Sequence, residues 1–308
     1  MRLHSLWAVA VFTSLVLSTS SAAGQDKNAD VKYKFRKGDV LKYEVRSTLD
    51  CSQVGTHASF LMMGNDKPLT WVVNGMIENV VLEVNETDGT AQLERLVKSI
   101  DSSGHVQNPS ADETFKFSWN REKDKTAPDE SKIPSMMDRF IVSMIANPVK
   151  FSVDVEGKAE NHQIAGNAAP EMKRLVMSRG MMYWPIKANE MSWTSDGEIA
   201  LPILHDKIKL EFKNSVTQDA TRSGFKARMI NATASLKSSE KTPGFGYENM
   251  VLTVSGGAKA EFDMTNGRLN KLEIDLTIKF SGKAQVPEGG EGDIKGVATY
   301  KETQVYKE

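Results

Sequence analysis

MVLTVSGGAKAEFDMTNGRLNKLEIDLTIKFSG, residues Met250 to Gly282, alternates apolar and polar positions over nearly its whole length. In the first arm Met250, Leu252, Val254, Gly256, Ala258, Ala260, Phe262 and Met264 share one parity. Leu272, Ile274, Leu276, Ile278 and Phe280 share the same parity in the second. A period of two over this length describes strands with one dry and one wet face, so the stretch is read as one long β-hairpin. Parity also selects the turn. A two-residue Asn266-Gly267 loop would set Phe262 opposite Lys271, mixing the faces. A three-residue loop, Thr265-Asn266-Gly267 with Gly267 left-handed in a G1 bulge, keeps apolar against apolar. It places Gly256, Ala258 and Ala260 opposite Leu276, Ile274 and Leu272. Small against large on one face predicts a sheet curved around something packed closely upon it.

Outward from this hairpin, the rest of the chain reads mostly as strands. Val31 to Phe35 and Val40 to Val45 flank a Gly38-Asp39 turn and suggest a hairpin. Strand patterns recur at 69–84, 90–100, 114–119, 149–155, 191–193, 198–204, 207–212, 225–236 and 295–306. Residues 101–113 read as a polar loop, 120–132 as a solvated linker and 287–293 as a Gly-rich acidic hairpin tip. The middle differs. Ile133, Met136, Met137, Phe140, Ile141, Met144 and Ile145 recur at helical spacing, and Asn147-Pro148 ends the run. A second helix is predicted from Asn167 to about Ser178, with Met172, Leu175 and Val176 on one face and Gly180 as its stop.

The beginning of the chain reads as an export signal. Arg2, the apolar run Leu6 to Leu17 and the small residues Ser21-Ala22-Ala23 predict cleavage after Ala23. Loss of residues 1–23 removes one positive charge and takes the net charge from −1 to −2. That near-neutral balance offers no field for nucleic acid or an anionic membrane. No later stretch is long and apolar enough to suggest a membrane span. Cys51 is the sole cysteine, so an intrachain disulfide is excluded. The expected organisation is a signal peptide (1–23), an N-terminal β block (24–132), a helical middle with one short hairpin (133–183), and a C-terminal β block (184–308). The mature protein is expected in the periplasm or outside the cell.

Four phrases resemble a family of exported bacterial proteins, frequent in planctomycetes, known as a domain of unknown function. They are Tyr33-Lys34-Phe35-Arg36-Lys37-Gly38-Asp39 with Tyr43; Val153 to Lys158; Trp184-Pro185 with Glu190-Met191-Ser192-Trp193; and Phe262 to Leu269. This chain carries Glu190 where the family has glycine. The resemblance implies a β-rich, clamshell-like sheet and an exported protein, with no catalytic residue to carry over.

Catalytic motifs are missing. There is no His-Glu-x-x-His, no paired-cysteine spacing and no Gly-x-Ser-x-Gly. His57, His105, His162 and His205 fall in different elements. Cys51 and His57 share strand parity but lie roughly 20 Å apart if extended, so Cys51 reads as a buried, inert thiol. Glu288, Glu291 and Asp293 lack the spacing of an EF-hand loop. Trp71, Trp119, Trp184 and Trp193 suit either packing or sugar stacking.

The methionines of the central helices adapt to irregular apolar shapes. With the small residues of the hairpin they outline a candidate ligand groove: Met136, Met137, Phe140, Met144, Met172, Leu175, Ala258, Ala260, Leu272 and Ile274. The expected fold is mainly β, a large curved antiparallel sheet of clamshell or half-barrel form with two central helices packed on it. The expected function is a non-enzymatic envelope protein binding an apolar small molecule or an envelope protein, without cofactor or metal. A carboxylate-dependent polysaccharide hydrolase and a structural or adhesive module without a pocket are the alternatives.

Overall fold

The 250–282 hairpin lies at the heart of one antiparallel sheet of twelve strands. The computed structural model describes residues 31–55, 69–108, 111–124, 126, 142, 145, 148–164, 183–199, 208–222, 224–237, 247–285 and 291–308. The strands are β1 (Val40–Gly55), β2 (Leu69–Val84), β3 (Ala91–Asn108), β4 (Ala111–Asn120), β5 (Val149–Val153) and β6 (Ala159–Ile164). They continue with β7 (Ser192–Ile199), β8 (Ile208–Arg222), β9 (Phe225–Leu236), β10 (Tyr247–Asp263), β11 (Arg268–Gln285) and β12 (Glu291–Lys307). Across the sheet the order is β6-β5-β3-β2-β1-β12-β11-β10-β9-β8-β7, with β4 paired to β3. Both β blocks therefore belong to one sheet, joined where β1 lies beside β12.

The expected register is present: Gly256 faces Leu276, Ala258 faces Ile274 and Ala260 faces Leu272. The loop is not the expected one. Asp263 pairs with Arg268, so the turn holds four residues, and a bulge between Glu261 and Phe262 restores the parity. Asp263 explains the difference. Its Oδ1 accepts from the Thr265 and Asn266 amides at 2.9 and 3.0 Å, and its carbonyl accepts from Gly267 N at 2.8 Å. Gly267 takes φ +66°, the left-handed position that lets the chain return.

The inner face carries the core. Tyr43, Leu49 and Cys51 on β1, Trp71 and Val81 on β2, Leu93 and Ala91 on β3, and the even-numbered residues 272–280 of β11 are all buried. Each large apolar side chain so buried contributes about 1.5–3 kcal/mol. The four tryptophans named above are core residues too. Burial fades along the first half of β10, where Leu252 and Val254 are half-buried and Gly256 is exposed. There β10 has lost one neighbour, since β9 pairs with it only over 257–263.

Other expectations need correction. Residues 101–113 are not a loop: β3 runs to Asn108 and β4 begins at Ala111. Small polar side chains are accommodated on the inner face there, as where Trp71 Nε1 donates to Ser102 Oγ at 2.9 Å. Val31 to Lys37 is not a strand of a hairpin with β1, but a strap hydrogen-bonded to turns elsewhere in the sheet. The acidic segment 287–293 is shorter than expected, because β12 starts at Glu291. Among the described residues the one continuous helix is a single turn, α1 (Arg121–Asp124), within the expected linker. The two central helices, with Met136, Met137, Phe140, Met144, Met172 and Leu175, lie outside the described residues. Of that region Val142 and Ile145 are described, both helical and buried. The segment 1–23 and His57 also lie outside.

Candidate functional site

Eleven strands in strict antiparallel alternation leave the first and last running the same way. β6 and β7 thus cannot close the sheet by antiparallel pairing, and among the described residues no pairing joins them. The sheet nevertheless bends far enough for both edges to line one cavity of about 520 Å³. Its walls include Ala159 and His162 from β6, Trp193 and Ser195 from β7, Phe212 from β8, and the connecting residues Tyr183, Trp184 and Pro185.

The connecting segment is held from several sides. Trp184 Nε1 donates to Asn214 Oδ1 at 3.0 Å, while Asn214 Nδ2 donates to Ser195 Oγ at 2.9 Å and to the Phe212 carbonyl at 3.1 Å. Arg228 donates to the carbonyls of Ala188 at 3.1 Å and Lys187 at 3.4 Å while pairing with Asp219 at 2.9 Å. Ile186 N donates to the Glu156 carbonyl at 2.8 Å. These bonds seat Trp184 and Trp193 as buried walls of the cavity.

The strap completes this end of the molecule. Tyr33 N donates to the Val155 carbonyl at 2.8 Å and Lys34 N to the Gly267 carbonyl at 2.9 Å, tying together the β5–β6 and β10–β11 turns. The Tyr33 ring meets Phe262 edge-on at 5.0 Å and Tyr183 at 5.6 Å, and stacks on Phe35 at 5.8 Å. Phrases far apart in the chain thus converge here: the strap, the Val153–Lys158 turn, Trp184 and the Phe262–Leu269 turn.

Inward from Tyr183 lies a cluster of polar side chains on an otherwise apolar face. Asn79 on β2 and Arg95 on β3 are buried, and Arg95 Nε donates to Asn79 Oδ1 at 3.3 Å. The Arg95 guanidinium sits 4.8 Å above the Phe151 ring, whose plane is also stacked on His162 at 5.4 Å. Burial pushes Arg95 down to about 10, opposed by nearby Tyr183 and Glu302. Burial raises the Tyr183 phenol well above its ordinary range, with Arg95 and Asn79 acting against it. Glu302 on β12 is buried and accepts from Ser47 Oγ at 3.0 Å, from Gln304 Nε2 at 2.5 Å and from the Tyr300 hydroxyl.

Of the expected groove residues, Ala258, Ala260, Leu272 and Ile274 do come together on the inner face, facing one another in two cross-strand pairs. Cys51 is buried, and burial pushes its thiol up to about 12. Among the described residues no group of three or more His, Cys, Asp or Glu side chains is placed to hold a metal. No helix there is long and apolar enough to cross a membrane. Asn79, Arg95, Tyr183 and Glu302 were not anticipated. The signal was present, for Asn79, Arg95 and Glu302 each occupy the dry parity of a strand.

No family model matches the chain, and no curated protein matches it. Among solved structures, that of OccK7 (OpdD) from Pseudomonas aeruginosa is similar over 88% of this chain and 100% of that chain, at 9% identity and a TM-score of 0.24. A likeness of that strength carries no argument about fold or function.

Proposed function

We propose that this is an exported, non-enzymatic envelope protein of the planctomycete-type family described above. It holds an apolar small molecule, or an apolar segment of an envelope protein, between the curled sheet and the helices expected at 133–147 and 167–178. The observation that supports this reading is the cavity of about 520 Å³ at the unclosed seam, walled by Tyr183, Trp184, Trp193 and Phe212. Its size falls in the range of small-molecule sites, about 300–1,000 Å³, and its aromatic walls suit an apolar guest.

The hydrolase reading finds carboxylates on the same rim, Glu156, Glu160, Asp196 and Glu198. Three of them are engaged by lysines, in the pairs Lys187–Glu156, Lys158–Glu160 and Lys237–Asp196. The binding reading is favoured.

Native mass spectrometry of protein purified from its own host tests the proposal, with uptake of the neutral fluorophore N-phenylnaphthylamine as a second measure. A copurified apolar mass and saturable fluorophore uptake are expected. Protein that carries no such mass and leaves the fluorophore dark would overturn the reading.

A further inference from the structure

Partway along β10 the sheet forks. β9 pairs with β10 over Gly257 to Asp263 alone, and among the described residues no strand pairs with Tyr247 to Gly256 on the side away from β11. A strand edge without a partner offers a row of backbone donors and acceptors to another extended chain, and proteins blunt such edges with charge, proline or irregular backbone. The other edges of this sheet carry those guards: Asp112, Glu113 and Lys116 on β4, Glu160 and the left-handed Asn161 on β6, Asp196 and Glu198 on β7. Asn249 to Ala258 holds no charged residue and no proline.

Side chains at this edge are uncovered as well. Val251 is 61% exposed, Thr253 and Ser255 are exposed, and Leu252 and Val254 on the inner face are half-buried. Val251 lines an open groove of about 470 Å³ with Lys279, Lys295 and Val297, the last another exposed apolar residue. Bare backbone and uncovered apolar surface thus occur at one place.

The edge is complementary to itself. Antiparallel pairing about a two-fold axis at Thr253 sets Leu252 against Val254 and Val251 against Ser255 in both directions, so each face keeps its character. Both ends of that register suit the fold. A bulge between Glu248 and Val251 turns β10 aside, and beyond Gly256 β9 occupies the edge. The bulge of one copy then falls beside the start of β9 in the other, so each strand leaves the edge where its place is already taken. Lys279 on β11 is in register with Thr253, and its copy would stand three strand spacings away, roughly 14 Å. That exceeds the screening length of about 8 Å at physiological salt, so the two lysines do not oppose the pairing.

We propose that a second copy of this chain pairs along residues 251–255 of β10, joining two sheets into one across a two-fold axis at Thr253. The pairing is independent of the apolar-ligand reading. It is short, at the small end of protein interfaces, and the dimer is expected to dissociate on dilution.

Sedimentation velocity of the full chain over a dilution series tests this, with charge-swapped variants on the axis. Wild-type protein is expected to pass from monomer to dimer as its concentration rises. Thr253 is exposed, so both variants are expected to fold, which circular dichroism checks. Thr253→Lys and Thr253→Glu each set like charges face to face, and each is expected to weaken the dimer several-fold; an equimolar mixture of the two is expected to restore it. Wild-type protein that stays monomeric at every concentration would overturn the proposal, as would a dimer that both variants leave intact. Folded, monomeric variants whose mixture fails to associate would overturn the register. A different polypeptide carried by the chain from its host, seen by native mass spectrometry while wild-type protein alone is monomeric, would overturn self-pairing and give the edge to that partner.

Discussion

The Tyr33 hydroxyl donates to the Trp184 carbonyl at 3.0 Å and accepts from the Trp184 amide at 3.1 Å. One side chain thus satisfies both main-chain groups of a residue far along the chain, where no strand neighbour serves them. The bond pair fastens the strap to the segment that walls the seam cavity.

Tyr33→Phe removes both bonds and almost no volume. It leaves a buried N–H and C=O unpaired, at a cost of roughly 2–4 kcal/mol. Urea denaturation should show the midpoint falling with little change in slope. A loss under about 0.5 kcal/mol, the level of an ordinary surface change, would mean the strap is not fastened there.

Gly157 and Gly224 offer a matched comparison, with φ of +85° and +88°. A β-carbon at Gly157 would lie 2.4 Å from the Tyr33 ring and 2.6 Å from the Trp184 carbonyl, whereas one at Gly224 would meet nothing within 4 Å. Gly224→Ala should cost only the backbone term, about 1–2 kcal/mol. Gly157→Ala should add an overpacking penalty of about 1–3 kcal/mol. Equal thermal shifts for the two variants would contradict the packing of Tyr33 against this turn.

The Asp263 side chain is the keystone of the β10–β11 turn, its carboxylate accepting three hydrogen bonds, the third from Asn266 Nδ2 at 2.7 Å. Asp263→Ala should destabilise by about 1–3 kcal/mol. Asp263→Asn retains an acceptor for the two amides and should lose less. If the two variants are equally stable, the turn is not held by those side-chain bonds.

Alkaline conditions should weaken the fold. Burial raises the Cys51 thiol from its ordinary value near 9 to about 12, and raises the phenols of Tyr33, Tyr43 and Tyr183. Each group is neutral when protonated, so the folded state retains its proton after the unfolded chain has begun to lose it. Stability should be level from pH 7 to near the thiol's ordinary range and then decline, by at most about 1.4 kcal/mol per pH unit per group. The useful window ends near pH 10, where Arg95 begins to titrate in the fold with the opposite sign. Cys51→Ser should flatten the decline between about pH 9 and 10, a range that opens at the thiol's ordinary value near 9. An unchanged slope would mean the thiol is not held protonated by the fold.

Local order was legible in the chain. The single parity of Ala258, Ala260, Leu272, Ile274 and Phe280 was enough to predict the hairpin, its faces and its pairing register, because side chains alternate strictly along a strand. The turn was read one residue short, since apolar parity is blind to the Asp263 side chain that caps four residues and shifts the correction into a bulge. The same blindness hid the site. Asn79, Arg95 and Glu302 stand on the dry parity of three different strands, and alternation cannot say whether such exceptions meet.

The sequence by itself determined which segments extend and which face of each turns inward, since period and turn chemistry are properties of neighbouring residues. Only the tertiary structure decided that β1 lies beside β12, that β6 and β7 end parallel across an unclosed seam, and that Tyr33, Gly157, Trp184 and Phe262 share one corner. A period of two names a strand's face but not its neighbour; that choice is made jointly by every strand that must bury its dry side at once.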